Sequence, residues 1–322
     1  MSRLIRRAFA DDGDLRRLVS ALSESHRNAD GSHLWHPGDL VWALFQNEVV
    51  DPREVVHLWE RTDGSLAGFA VLEDEDINVQ VLTSDPHERA ALTAEALDLA
   101  CDQRAEVRTE VLKSDDSWRR AVTARGFVPD VTRRTRRGEP YTGIVCLAQS
   151  LDGPDASVAA SDGLGSLTVR EVGDESEWPA RVELHRTVWA PSQVTLTAYR
   201  RLRSAPVYRP DLDLVAVDTS GAMAAYCIVW FDPHSRVGEF EPVGTHPDHR
   251  RRGAGAAVLR EGLNRLRRLG ARRALVISSA DNPASLRLYE SVGFQIVDAA
   301  TFYHRPSRLT EVTPSRPSRS PS

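Results

Sequence analysis

The same order of elements is written twice along this chain, and that constrains its fold more than any other feature. Each copy opens with a short apolar strand followed by acidic residues and a helix. The first has Leu4-Ile5-Arg6 before Asp11-Asp12; the second has Leu167-Thr168-Val169-Arg170 before Asp174. Two strands about a glycine turn come next: residues 55–61 and 66–72 flank Asp63-Gly64, and residues 212–217 and 222–230 flank Ser220-Gly221. Their alternation and turn residues predict hairpins. A further strand leads to Asp85-Pro86 in one copy and to His246-Pro247 in the other. A long helix, another strand and a short helix ending in Gly-Phe then follow, at Gly126-Phe127 and at Gly293-Phe294. A chain of 322 residues has room for two such units. The expected organisation is therefore an α/β protein with one unit at 1–150 and a second at 167–305. Residues 151–166, rich in Gly, Ser, Ala and Asp, read as the linker, and residues 306–322, rich in Pro, Ser and Arg, as a disordered tail.

Charge narrows the partners. With 41 basic and 46 acidic side chains the net charge is only −5, which draws the chain neither to nucleic acid nor to an anionic membrane. The longest apolar run, residues 221–231, is too short for a membrane span, and the N-terminal residues lack the apolar core of a signal peptide. Cys101, Cys146 and Cys227 are scattered, with no CxxC or Cys/His cluster, so neither a disulfide framework nor a metal site is expected, and a cytoplasmic setting fits. Lys113 is the only lysine, so any phosphate contact must come from arginine or from backbone N–H.

The second copy carries the chemistry. A strand at Val237–Thr245 runs into a turn at Pro247-Asp248, and a helix begins near Gly253 with an apolar stripe at Leu259, Leu263, Leu266 and Leu269. The first turn of a helix presents backbone N–H groups without intrahelical partners and a partial positive charge. Gly253 and Gly255 remove side chains there, and Arg250, Arg251 and Arg252 add formal charge, which makes a pyrophosphate cradle. A P-loop would need Gly-Lys-Ser/Thr, and a dinucleotide fingerprint would place its glycines directly after the strand; neither is present.

Further on, a strand near 274–279 precedes Asp281-Asn282-Pro283, with Asn282 suited to cap a helix and Pro283 to its first position. Taken together, Arg250-Arg-Arg-Gly253-Ala-Gly255 and Asn282-Pro-Ala-Ser-Leu-Arg-Leu-Tyr289-Glu-Ser-Val-Gly-Phe294 resemble the paired motifs of the GNAT superfamily of N-acetyltransferases, most tightly over residues 212–303. The layout is similar to that of the tandem-domain mycothiol synthase family, whose members acetylate a cysteinyl amino sugar.

The resemblance implies two GNAT-like domains, each a mixed, mostly antiparallel twisted sheet flanked by helices. It implies acetyl-CoA as co-substrate, with no metal. Backbone groups at Val243, Gly244 and Thr245 would pair with the pantetheine arm. Arg250, Arg251, Arg252, Gly253, Ala254, Gly255 and Ala256 would hold the pyrophosphate, Asn282 would contact the pantetheine, and Tyr289 would stand near the thioester sulfur as general acid. Glu239 and Glu241, which alternation places on one face of their strand, are the candidate general bases. The acceptor implied is the primary amine of a small molecule, taken by a monomer or a homodimer without nucleic acid or membrane. A non-catalytic acyl-CoA-binding protein is the competing class.

The first copy lacks these features. Aligning the two Gly-Phe pairs puts Val122 at the Tyr289 position and Asp115 at the Asn282 position, and no glycine follows Asp85-Pro86. An inactive first domain that supports the fold and walls the acceptor groove is the expectation.

Overall fold

The computed structural model describes residues 3–28, 35–152 and 167–306; nearly all of the linker at 151–166 and of the tail at 306–322 lies outside them. The first half contributes β1 (Ile5–Ala8), α1 (Asp12–Asn28), α2 (Pro37–Phe45), α3 (Pro52–Val55), β2 (Val56–Glu60), β3 (Leu66–Glu73), β4 (Asp76–Val81), α4 (Pro86–Gln103), β5 (Val107–Leu112), α5 (Asp116–Thr123), β6 (Val128–Pro129) and β7 (Gly143–Ser150). The second half repeats the order with β8 (Thr168–Glu171), α6 (Trp178–Val188), α7 (Leu196–Arg203), β9 (Asp213–Val217), β10 (Met223–Asp232), β11 (Val237–Thr245), α8 (Ala254–Arg268), β12 (Arg273–Ser279), α9 (Pro283–Ser291) and β13 (Gln295–Arg305). Both expected hairpins form, β2 with β3 and β9 with β10.

The sheet departs from two self-contained units. Its strands run β1-β2-β3-β4-β5-β13-β7-β12-β11-β10-β9-β8, one continuous mixed sheet. β7, from the first half, pairs with β12 of the second, and β13, from the second half, pairs with β5 of the first. β7 and β13 also pair with each other. Each half thus gives its last strand to the other, a crossing that a local pattern of apolar residues does not encode.

α8 packs its Val258, Leu259, Leu263 and Leu266 against Phe240, Ala274, Val276 and Leu147 on one face of the sheet. α4 does the same in the first half, with Leu92, Ala96 and Leu97 near Val107 and Val111. On the opposite face, α1, α2, α6 and α7 share one core with β2, β3 and β10, so helices of the first half rest on strands of the second. α2 shows why. Leu40, Val41, Leu44 and Phe45 form its buried stripe, and a capping box between His36 and Asp39 fixes its start. Gly38 lies against Trp230 of β10 so closely that a Cβ would stand 2.2 Å from the indole. This missing side chain lets α2 settle onto β10 and brings Asp39 beneath the second half.

Candidate active site

β11 and β12 run parallel and pair only over Val237–Glu239 against Arg273–Leu275. Beyond that point β11 keeps β10 as its partner and β12 keeps β7, so the two strands part. The edge of β11 from Phe240 to Thr245 that faces the gap has no strand partner among the described residues. That edge, which carries Val243, Gly244 and Thr245, offers N–H and C=O groups to an extended ligand.

The N-terminus of α8 lies at the end of this edge. Arg251 and Gly253 both adopt positive φ, 64° and 82°, and Gly253 is the N-cap. No side chain caps α8 and no acidic residue lies in its first turn. The N–H groups of Ala254, Gly255 and Ala256 are therefore open to an anion. Gly255 keeps the passage narrow: a Cβ there would lie 2.8 Å from Thr245 Oγ1 and 3.2 Å from Leu288. Arg250, Arg251 and Arg252 are exposed around the opening.

The first half shows the same site closed. Its splay is wider, with β4 and β5 paired only at Asp76 and Arg108. Its helix α4 caps itself: the Asp85 carboxylate accepts from the N–H groups of His87 and Glu88 at 2.7 and 3.0 Å, and Glu88 adds a charge in the first turn. An anion at this helix start would meet a carboxylate already in its place.

α9 begins at Asn282, whose side chain accepts from the Ser285 N–H at 3.2 Å. Asp115 does the same for α5, accepting from Trp118 N–H at 2.8 Å, so the two positions share the capping role. Tyr289 sits inside the second-half core, 6% exposed, edge-on to Phe294. Burial, then the nearby charge of Glu241, pushes its phenol well above the usual range, so it stays protonated at neutral pH. Val122 fills the corresponding place in the first half, fully buried.

The plain alternation expected for Glu239 and Glu241 is interrupted. β11 has an extra residue against β10 between Phe240 and Val243, at Pro242, which has no N–H to give the ladder. Phe240 and Val243 both reach the α8 core across this bulge, and the Trp230 Nε1–H donates to the Glu241 carbonyl at 2.6 Å. Glu239 points the other way, toward α2. It is 2% exposed and makes a side-chain hydrogen bond with Asp39. His36 Nδ1 lies 3.5 Å from Glu239 Oε2, yet this is no ion pair. Nδ1 accepts from the Gly38 N–H, Nε2 faces the Val237 carbonyl, and burial lowers the imidazole to about 3. A neutral ring with its proton on Nε2 has nothing to donate to Glu239.

Two adjacent carboxyls, Glu239 buried and Asp39 partly buried, with no cation beside them among the described residues, hold a proton between them. Burial raises Asp39 to about 6, and burial together with Asp39 raises Glu239 well beyond the usual range. Burial and Asp39 also raise Glu241 to about 8. The arrangement is a proton acceptor poised near neutral pH beside a protonated phenol. His246 and His249 are turn residues, the first accepting from the Asp248 N–H and the second 3.9 Å from Asp218. Cys227 is fully buried in the core.

Asp39 and His36 were not legible from the sequence, where His-Pro-Gly-Asp reads as a helix start and nothing more. Only the crossing of α2 onto the second half brings them to Glu239.

The raised carboxyls have a consequence for stability. Groups whose folded values lie above their unfolded ones contribute stability that is present at low pH and lost as pH rises through the folded value. Above pH 7 the buried histidines no longer titrate in the unfolded chain, so the raised carboxyls Glu239 and Glu241 together carry the change at this site. The melting temperature of the ligand-free protein should fall between pH 7 and 9, and Glu241→Gln should flatten that slope. Thermal unfolding across the range checks this; an equally steep slope in the variant contradicts it.

Residues 178–294 match the acetyltransferase (GNAT) family model. Residues 178–294 form a GNAT acetyltransferase domain. The chain is 24% identical over 307 residues to a mycothiol acetyltransferase of Corynebacterium glutamicum, covering 92% of this chain and 96% of that one. It is 28% identical over 249 residues to another of that name from Geodermatophilus obscurus, covering 72% and 76%. Among solved structures, a tandem GNAT protein from the clavulanic acid biosynthesis pathway aligns with a TM-score of 0.63 at 18% identity, over 96% of this chain and 100% of that one. A GCN5-related N-acetyltransferase from Sphaerobacter thermophilus gives 0.60 at 20% identity, over 94% and 95%. These likenesses agree with the mixed sheet and with a tandem arrangement of the GNAT fold. No helix among the described residues is long and apolar enough to cross a membrane.

Proposed function

We propose that this protein moves an acetyl group from acetyl-CoA to the primary amine of a small molecule by direct attack, in a catalytic domain at 167–305 supported by an inactive domain at 1–150. The observation that carries the reading is the contrast between the uncapped start of α8 and the self-capped start of α4. When bound, acetyl-CoA supplies an activated acetyl thioester. The edge of β11 at Val243, Gly244 and Thr245 orients the pantetheine arm, and Asn282 borders it. N–H groups of residues 251–256, with the arginines at 250–252, hold the pyrophosphate. The Asp39–Glu239 pair, or Glu241 beside it, takes the proton of the incoming ammonium. The amine nitrogen then forms the N–C bond as the C–S bond breaks, the Tyr289 hydroxyl gives its proton to the departing sulfur, and the second proton shed by the nitrogen restores the phenol, leaving a neutral amide.

Tyr289→Phe should lower kcat by roughly ten- to a thousandfold with little change in acetyl-CoA affinity. Stopped-flow and steady-state measurement of CoA release test this, and unchanged turnover with chemistry rate-limiting removes Tyr289 from the mechanism.

A second reading, acetylation of a cysteinyl amino sugar, is favoured by the relatives named mycothiol acetyltransferase, at 24% identity over nearly the whole chain. An amine panel that includes this compound separates the two. CoA binding without turnover on any amine would instead favour a non-catalytic acyl-CoA-binding protein.

A further inference from the structure

The side of the sheet that carries α2 holds more carboxyl groups than proton abstraction requires, and they come from both halves. Asp39 descends from α2, Glu239 and Glu241 stand on β11, and Glu110 stands on β5 of the first half. Cys146 and Tyr141 lie between these groups. The thiol feels Glu110 together with Asp39 and Glu239, and the phenol feels Glu110 together with Glu241. The hydrogen bonds join them as well: Trp35 precedes His36, whose ring lies 3.5 Å from Glu239, and Gln80 and Asn78 link the Trp35 N–H to Glu110, so the acids of both halves line one side of the sheet. Its other charged or titratable neighbours are His36 on α2, Tyr289 on α9, Asp298 on β13, and the Arg133–Asp76 pair at the Glu110 end.

Two features mark this interior as a binding chamber. Glu239 Oε2 is buried with no hydrogen-bond partner among the described residues, and a buried acceptor in that state calls for a donor. Arg133, whose charge acts on Glu110, is also committed elsewhere. Arg133 grips Asp76 through two contacts of 2.7 Å and lies over the rings of Phe302 and Tyr141.

The duplication shows how the far end was built. Asn78 stands eight residues before Pro86, as Glu239 stands eight before Pro247; Gln80 and Glu241 correspond in the same way. The first half thus has amides where the second half has its candidate bases. Those amides form a relay that ends on Glu110: the Trp35 N–H donates to Gln80, Gln80 donates to Asn78, and the Asn78 amide donates to Glu110 at 2.8 Å. One half has carboxylates to accept a proton, and the other has a single carboxylate held in a fixed position by neutral donors. A neutral relay positions Glu110 without neutralising it.

We propose that the chamber takes an acceptor with two cationic groups, a diamine in the simplest case: one ammonium is deprotonated and acetylated at Asp39, Glu239 and Glu241, and the other is anchored by Glu110. This rests on the acetyltransferase reading above and names the substrate class for it. The first half then contributes specificity, and the amide relay contributes the orientation of the anchor.

The test is calorimetric titration of the CoA-loaded protein with α,ω-diaminoalkanes from 1,3-diaminopropane to 1,8-diaminooctane, each beside the n-alkylamine of equal length. At least one diamine should bind tenfold or more tighter than its monoamine, with a preferred length set by the span of the chamber. Glu110→Gln should erase that preference while monoamine binding and CoA affinity hold and the protein stays folded. Equal affinities for every matched pair, or a preference that survives Glu110→Gln, overturns the proposal. The same titration on the free protein keeps the two readings apart. Diamine preference without CoA binding would sink the acetyltransferase reading alone, and CoA binding without diamine preference would sink this one alone.

Discussion

Ala256→Glu should abolish acetyl-CoA binding while leaving the fold intact. Ala256 is the third residue of α8, as Glu88 is the third residue of α4. The substitution gives the open helix start the acidic residue that the closed one already has. A glutamate in the first turn suits the helix dipole, so α8 should not unravel. Ala256 is only partly buried, at the edge of the α8 core, so a longer side chain can reach solvent. The same carboxylate would stand against a pyrophosphate on the N–H groups of 254–256. The expected loss is roughly a hundredfold or more in affinity, about 2.7 kcal/mol or above. Calorimetry reads the affinity and circular dichroism confirms the fold; undiminished binding by a folded variant would remove α8 from the cofactor site.

Glu239→Gln should be close to inactive and yet more stable than the parent at pH 8. In the proposed mechanism the carboxyl takes part in proton removal, so kcat should fall by a factor on the order of 10² to 10⁴. The same carboxyl is buried against Asp39 with Glu241 nearby and no cation beside it among the described residues, so at pH 8 the folded state must keep protonated a group that the unfolded chain ionises freely, which costs stability. An amide of nearly the same shape removes that cost and can donate to Asp39. Activity and melting temperature should therefore move in opposite directions, which a merely structural role for Glu239 would not produce. Retained turnover, or a melting temperature that drops with the activity, contradicts the assignment.

Much of this was legible in the sequence because it is local. Gly253, Gly255 and the arginine run, the Asn282-Pro283 cap and the Gly-Phe stops each depend on a few neighbouring residues, and the strand at Val237–Thr245 ends where the pattern predicts. The closed cradle of the first half was legible for the same reason: the missing glycine and the Asp before Pro86 sit side by side. Three features were not. The exchange of β7 and β13 depends on pairings between residues more than a hundred positions apart, as between Cys146 and Ile277. The bulge at Pro242 needs the register of β10 to be seen. The acids supplied by the first half, Asp39 and Glu110, become part of the site only because α2 crosses onto β10 and the sheet runs unbroken from β5 to β11.

The central claim is that two similar halves hold one working acetyl-CoA site, built on β11 and the uncapped start of α8. Calorimetric titration of the full chain with acetyl-CoA tests it most directly. The account predicts one equivalent bound per chain, lost in Ala256→Glu. Two equivalents, or one equivalent that survives Ala256→Glu in the folded variant, would contradict it.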